Sequence, residues 1–221
     1  MLKIIAMVTM LVDHIGATFL EQYPIYRVIG RISMPIYAYL VAQGMVYTTK
    51  HKSQKYYILR LLLLGVLSQA PYQILFKPES LQLNICFEWT IAAAIIWGAS
   101  FIPQKYALCV LPIAVVILWQ SAFSYQFLAV GFSLIFWLFL VKKDLTPYRY
   151  GAAIVLISLY VLKYPSPIHY FHLVGFVLID ILRPIEKKNK VLRKKIPKEI
   201  AYGFYPVHML ILAALRAAIS S

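Results

Sequence analysis

Asp13 and His14 stand side by side in the middle of an apolar stretch, LKIIAMVTMLVDHIGATFL. A carboxylate holds a cation, and an imidazole takes and gives protons near neutrality. Adjacent residues on a helix point about 100° apart, so these two cannot pair with each other. Each needs a partner on another helix. Arg31 is the expected mate of Asp13, since a carboxylate–guanidinium pair is a low-cost way to keep both charged in lipid. His14 and a second imidazole, His208, are left to titrate. Of the two, His14 is taken first as a general base, with His208 as the alternative. Around them stand Gln43, Gln69, Asn84, Glu88 and Tyr205, polar groups inside otherwise apolar segments. Ionisable residues at such depth are costly and mark functional sites by default.

The elements that must position these residues are apolar helices. The 221 residues are 62% hydrophobic and 14% charged, with a mean hydropathy of +0.73. A soluble chain holds about 25% charged residues. The reading is an all-α polytopic transmembrane bundle, one domain over 1–221, of about nine spans. The segments run 2–20, 32–49, 56–76, 83–102, 106–123, 125–141, 148–162, 168–182 and 200–219. The division between the fifth and sixth rests on Ser124 alone. With the N-terminus in the cytoplasm, most of the 22 Lys and Arg fall inside, including Lys50, Lys52, Lys55, Lys105, Lys142, Lys143 and the run from Lys187 to Lys198. Arg27, Arg31, Lys77, Lys163 and Arg216 fall outside. At about 1.5 Å per residue, Asp13 and His14 lie roughly 15–18 Å from the inner face. His208 reaches the same level, Gln69 lies in the outer half, and Arg31, Asn84 and Glu88 lie further out. Gln43 lies at or below the centre. Unpaired polar groups in hydrocarbon cost several kcal/mol each, so this layer should gather into one pocket.

The net charge of +14 does not point to nucleic acid, because it is concentrated at helix ends. The Lys187–Lys198 run reads as a topology anchor near anionic lipid, with phosphate binding as the sharper alternative. Cys86 and Cys109 both sit in apolar segments, which argues against a disulfide or thiolate metal site. No metal is expected. His169 and His172 have ligand spacing but no third ligand, and they read as interfacial. Asp180 and Arg183 read as a helix-end ion pair. Pro206 could kink the last helix and aim His208. A cleavable leader, a phosphate-binding glycine loop and an internal repeat are not expected.

The strings MLKIIAMVTMLVDHIGA, IGRISMPIYAYLVAQGM, YYILRLLLLGVLSQAPY, LNICF and YGFYPVHMLILAAL, in this order, resemble the TraX family of pilin acetylases. The second also looks like a stretch found in membrane acyl-CoA acyltransferases, with Met34 before Pro35 where Phe is commoner. Ser124-Tyr125-Gln126 stands where an Asp-Tyr-Gly-like turn is usual. The resemblance implies transfer of an acetyl group from acetyl-CoA to the α-amine of a pilin subunit, in the bacterial cytoplasmic (inner) membrane.

On that reading Asp13, His14 and His208 are the catalytic candidates. Arg31, Gln43, Gln69, Asn84, Glu88 and Tyr205 are candidates for the substrate and oxyanion. Lys52, Lys55 and Arg60 are candidates for the cofactor. Partners would be the pilin and membrane lipid, without nucleic acid. A proton-coupled transporter, an acyltransferase acting on a sugar or lipid hydroxyl, and a pilus-assembly scaffold without chemistry are the alternatives.

Overall fold

The computed structural model describes residues 1–78, 81–103, 106, 109–119, 123, 125–189 and 196–220. Lys105, Ser124, Lys190, Arg193, Lys194 and Lys195, used above for topology and turns, lie outside the described residues. Among the described residues every regular element is helical: α1 (Leu2–Phe19), α2 (Pro24–Gly30), α3 (Ser33–Lys50), α4 (Gln54–Phe76), α5 (Ile85–Ala99), α6 (Val110–Leu118), α7 (Phe127–Val141), α8 (Arg149–Lys163), α9 (His172–Lys188) and α10 (Lys198–Ser220).

Each apolar segment of the sequence coincides with a helix, but they are not equal. Among the described residues, five stretches are long and apolar enough to cross a membrane: Leu2–Phe19, Gln54–Phe76, Asp144–Lys163, Pro167–Lys188 and Glu199–Ile219. This is a membrane protein. The expected nine spans are not reached on the same terms. α5 and α7 have 15 residues each, roughly 22 Å against a hydrocarbon core of about 30 Å. α3 carries Gln43, Thr48, Thr49 and Lys50, and α6 covers only nine residues.

α10 shows how such helices divide their faces. Tyr205, His208, Met209 and Leu212 are buried, while Val207, Leu210, Ile211 and Leu215 are exposed. Both faces are mainly apolar, and the histidine lies on the inward one. A soluble helix would turn a polar face outward.

The helices form two compact units, divided after Tyr37 within α3 and after Val66 within α4. The first contains α1, α2, the start of α3, the second half of α4, α9 and α10. In it α1 packs on α2, α9 and α10. The Leu2 backbone N–H donates to Glu186 Oε1 at 2.8 Å, so the start of α1 and the end of α9 share a level.

The second unit holds the rest of α3 and α4 with α5 to α8. Its core is α7, apolar on all sides, with every residue from Phe127 to Leu138 buried. α5, α6 and α8 pack on it. The turn before α7 is held closed by a bond from the Leu128 N–H to the Tyr125 carbonyl at 3.0 Å. Gln126, at φ 51° and ψ −121°, occupies a backbone region that strongly favours glycine. This accounts for the glycine expected there by resemblance. Here a glutamine is held instead by its side chain. Its amide donates to Tyr164 Oη at 2.5 Å, and its carbonyl accepts from Lys163 Nζ at 2.9 Å. Lys163 also donates to the Trp119 carbonyl.

Gln126→Ala keeps the backbone strain and loses both side-chain bonds, whereas Gln126→Gly relieves the strain. The alanine variant should be less stable than the glycine variant by about 1–3 kcal/mol. Thermal unfolding in detergent checks this, and equal stability would refute the strain at this position.

Candidate functional site

α1 and α2 form a tight hairpin because two glycines let them touch. A Cβ on Gly16 would stand 2.3 Å from Tyr26 Cβ, and one on Gly30 would stand 2.0 Å from Asp13 Oδ1. Small residues serve this purpose between helices in lipid. The hairpin brings Arg27, on α2, over Asp13. Arg27 Nη1 donates to Asp13 Oδ2 at 2.8 Å and to the Asp13 carbonyl at 3.3 Å. The mate of Asp13 is therefore Arg27, and not Arg31 as the sequence suggested. The physical reason is register: antiparallel packing on Gly16 and Gly30 sets Arg27 opposite the carboxylate, one turn before Arg31. Arg31 still acts on Asp13 electrostatically. Asp13 and Arg31 are buried, at 5% and 6% exposure, while Arg27 reaches the surface. Asp13 Oδ1 is buried without a hydrogen bond among the described residues.

Arg31 is fixed through its backbone. Pro35 has no N–H, so the helical bond that residue 35 would give to the Arg31 carbonyl is missing. His172, on α9, fills the gap with Nδ1 at 2.6 Å from the Arg31 carbonyl oxygen. That oxygen can only accept, so His172 Nδ1 carries the hydrogen. Gly175, one turn on, allows the approach: a Cβ there would stand 2.4 Å from Pro35 Cγ. The G-R-x-x-x-P element of the sequence thus has a physical account. Gly30 makes room for Asp13, and Pro35 leaves the Arg31 carbonyl for a histidine of α9. His169 and His172, expected near the membrane interface, are buried within the protein, with rings 6.1 Å apart. Sequence reasoning missed His172 because its partner is a backbone atom 141 positions away.

The two histidines singled out by depth meet. His14 Nδ1 lies 2.7 Å from His208 Nε2. Their ring planes are 18° apart and their centroids 4.9 Å apart. That is the separation expected of two rings joined edge to edge through one N···N contact. His208 Nδ1 lies 2.6 Å from the Phe204 carbonyl oxygen. That carbonyl must accept, so His208 Nδ1 carries a hydrogen and, in the neutral ring, Nε2 is bare. His14 Nδ1 is then the donor between the rings. Neutral His14, with its hydrogen on Nδ1, consequently presents a bare Nε2. Aromatic rings hold the pair: Phe76 meets His14 edge-on, Phe204 lies against His208, and Tyr205 lies near both. α10 runs on through Pro206.

The remaining candidates lie elsewhere. Gln69 is half-buried on the second half of α4, in the first unit. Gln43, Arg60, Lys52 and Lys55 belong to the second unit and are exposed. Gln43 donates to Tyr39 Oη at 2.9 Å, within α3. Asn84 caps α5, accepting from the Cys86 N–H at 3.0 Å, and donates to the Gly65 carbonyl at 2.8 Å. Glu88 accepts from the Tyr125 N–H at 2.8 Å and anchors the turn before α7. Asn84 and Glu88 are thus engaged in building the second unit. Among the described residues no group of three or more His, Cys, Asp or Glu could hold a metal ion.

The sequence profile described as TraX protein matches residues 1–216. The chain belongs to the TraX family. Relatives of this TraX chain include an uncharacterized protein, RP591, of Rickettsia prowazekii (strain Madrid E), 35% identical over 85 residues, or 38% of this chain and 31% of the relative. A probable fimbrial assembly protein, FimC of serogroup H1, from Dichelobacter nodosus is 32% identical over 75 residues, or 32% of this chain and 30% of the relative. The chain therefore spans about a third of the length of these curated relatives. No solved structure matches.

Two predictions follow from the packing of this TraX site. Gly30→Ala drives a methyl into the Asp13 carboxylate and should destabilise as much as Arg27→Leu, by about 1–3 kcal/mol for breaking an ion pair with one buried partner. Unfolding in detergent measures both, and a harmless Gly30→Ala would refute the contact. His172→Leu leaves the Arg31 carbonyl without a donor, at about 1–3 kcal/mol. Pro35→Ala restores the helical N–H, so the double variant should lose less than the sum of the single variants, by about 1 kcal/mol. Strict additivity would sink this account.

Proposed function

We propose that this protein is an integral-membrane acyltransferase, moving an acetyl group from acetyl-CoA to the N-terminal amine of a pilin subunit during pilus maturation. The observation that carries the reading is the His14–His208 pair, a bare imidazole nitrogen backed by a second imidazole inside an apolar bundle. Such a nitrogen suits acyl transfer, where an ammonium must lose a proton before it can attack. Arg27 and Arg31 outnumber the one carboxylate, Asp13, in their cluster, which suits a site where negative charge develops on a thioester carbonyl oxygen. Family membership and the similarity to a probable fimbrial assembly protein favour a pilin as acceptor. In this reading Tyr205 and Gln69 line the substrate path, and Lys52, Lys55 and Arg60 attract the cofactor phosphates from the cytoplasm. The finer topology, about nine spans with the N-terminus in the cytoplasm of a bacterial inner membrane, belongs to the same proposal.

His14→Ala and His208→Ala should each reduce acetylation by about 10²–10⁴-fold, read as the mass of the pilin N-terminus. Wild-type acetylation by both variants would refute the histidine mechanism. Uptake by proteoliposomes under a pH gradient, without thioester cleavage, would favour the transporter alternative instead.

A further inference from the structure

We propose that His14 Nε2 itself carries the acetyl group, as a covalent acyl-imidazole, with His208 as the base behind it. The proposal rests on the acetyltransferase reading and assigns the two histidines different work.

The argument lies in what holds each ring. His208 is oriented by a carbonyl, that of Phe204, which fixes the tautomer and can do no more. If His14 only took a proton at Nε2, a carbonyl or amide would serve equally well behind its Nδ1–H. Its partner is instead a bare imidazole nitrogen at 2.7 Å, able to take that proton outright. This capacity is needed when His14 Nδ1–H must leave, which is when Nε2 forms a covalent bond. The edge-to-edge alignment of the rings gives that proton a direct path.

The chemistry balances. His14 Nε2 attacks the thioester carbonyl carbon, the new N–C bond forms, and the C–S bond breaks with its electron pair leaving on the thiolate. The Nδ1 proton passes to His208 Nε2, so the acylated ring is neutral and His208 is cationic. In the second stage a neutral amine attacks the acetyl carbon, and the N–C bond to His14 breaks with its pair returning to Nε2. His208 gives its proton back to His14 Nδ1, and the proton shed by the amine matches the one taken up by the thiolate. One consequence is that donor and acceptor need not occupy the site together.

The full-length protein in detergent, incubated with radiolabelled acetyl-CoA and no acceptor, tests this. The expected result is a burst of free thiol approaching one per chain, with matching hydroxylamine-labile label that maps to His14. Adding a pilin subunit should discharge the label onto its amine. His14→Gln should give no label, and His208→Leu should label about a hundredfold more slowly. Pilin acetylation without any acceptor-free burst, or label on another residue, overturns the covalent step while leaving the acetyltransferase reading intact. No thioester cleavage with or without pilin overturns that reading as well. The wild-type burst needs no variant, so a misfolded mutant cannot obscure the outcome.

Discussion

A carbonyl oxygen has no hydrogen to give, and in this protein that one-sidedness organises the first unit. At Phe204 it sets the tautomer of His208, which sets the donor between the two rings, which leaves His14 Nε2 bare. At Arg31 it sets the tautomer of His172 and ties α9 to the segment that carries Arg31. In lipid no water is at hand to satisfy a missed partner, so each such bond is effectively obligatory. Three histidines thereby take defined tautomers from two backbone atoms.

The α1–α2 hairpin shows how close packing and electrostatics depend on each other. Gly16 and Gly30 allow the two helices to touch, and that contact delivers Arg27 to Asp13. A bulkier residue at position 30 would occupy the space of the carboxylate itself. The guanidinium at position 31 acts on the same carboxylate, so two guanidiniums serve one acid. An arrangement of this kind raises the local value of any negative charge that develops nearby. The second unit solves a different problem. Its polar residues, Asn84, Glu88, Gln126 and Lys163, cap helices and close turns around the apolar α7.

Depth along the helices was the most legible property of the site. Counting residues from the charged ends put His14 and His208 at one level, and they touch. The same count put Asn84 and Glu88 nearby, but their short-range partners, a helix N-terminus and a turn, engage them in the second unit. The Asp13 partner was misread because Arg27 and Arg31 differ by one turn of a short helix, and only the hairpin register separates them. His172 was illegible because its partner is a carbonyl, and backbone atoms leave no mark in a sequence. The Pro35 that creates the vacancy was visible, though not its consequence.

Amino-acid order by itself determined that the chain is helical and membrane-embedded, since apolar stretches of this length have few other stable forms in lipid. It also determined which side chains are chemically able to act, and roughly at what depth. Tertiary structure alone decided who faces whom: Arg27 on Asp13, His208 on His14, and His172 on the Arg31 carbonyl. Those choices depend on helix register and rotation, which glycine contacts and backbone acceptors fix over separations of up to 194 residues. No local pattern encodes such distances, because the interactions do not exist until the helices pack.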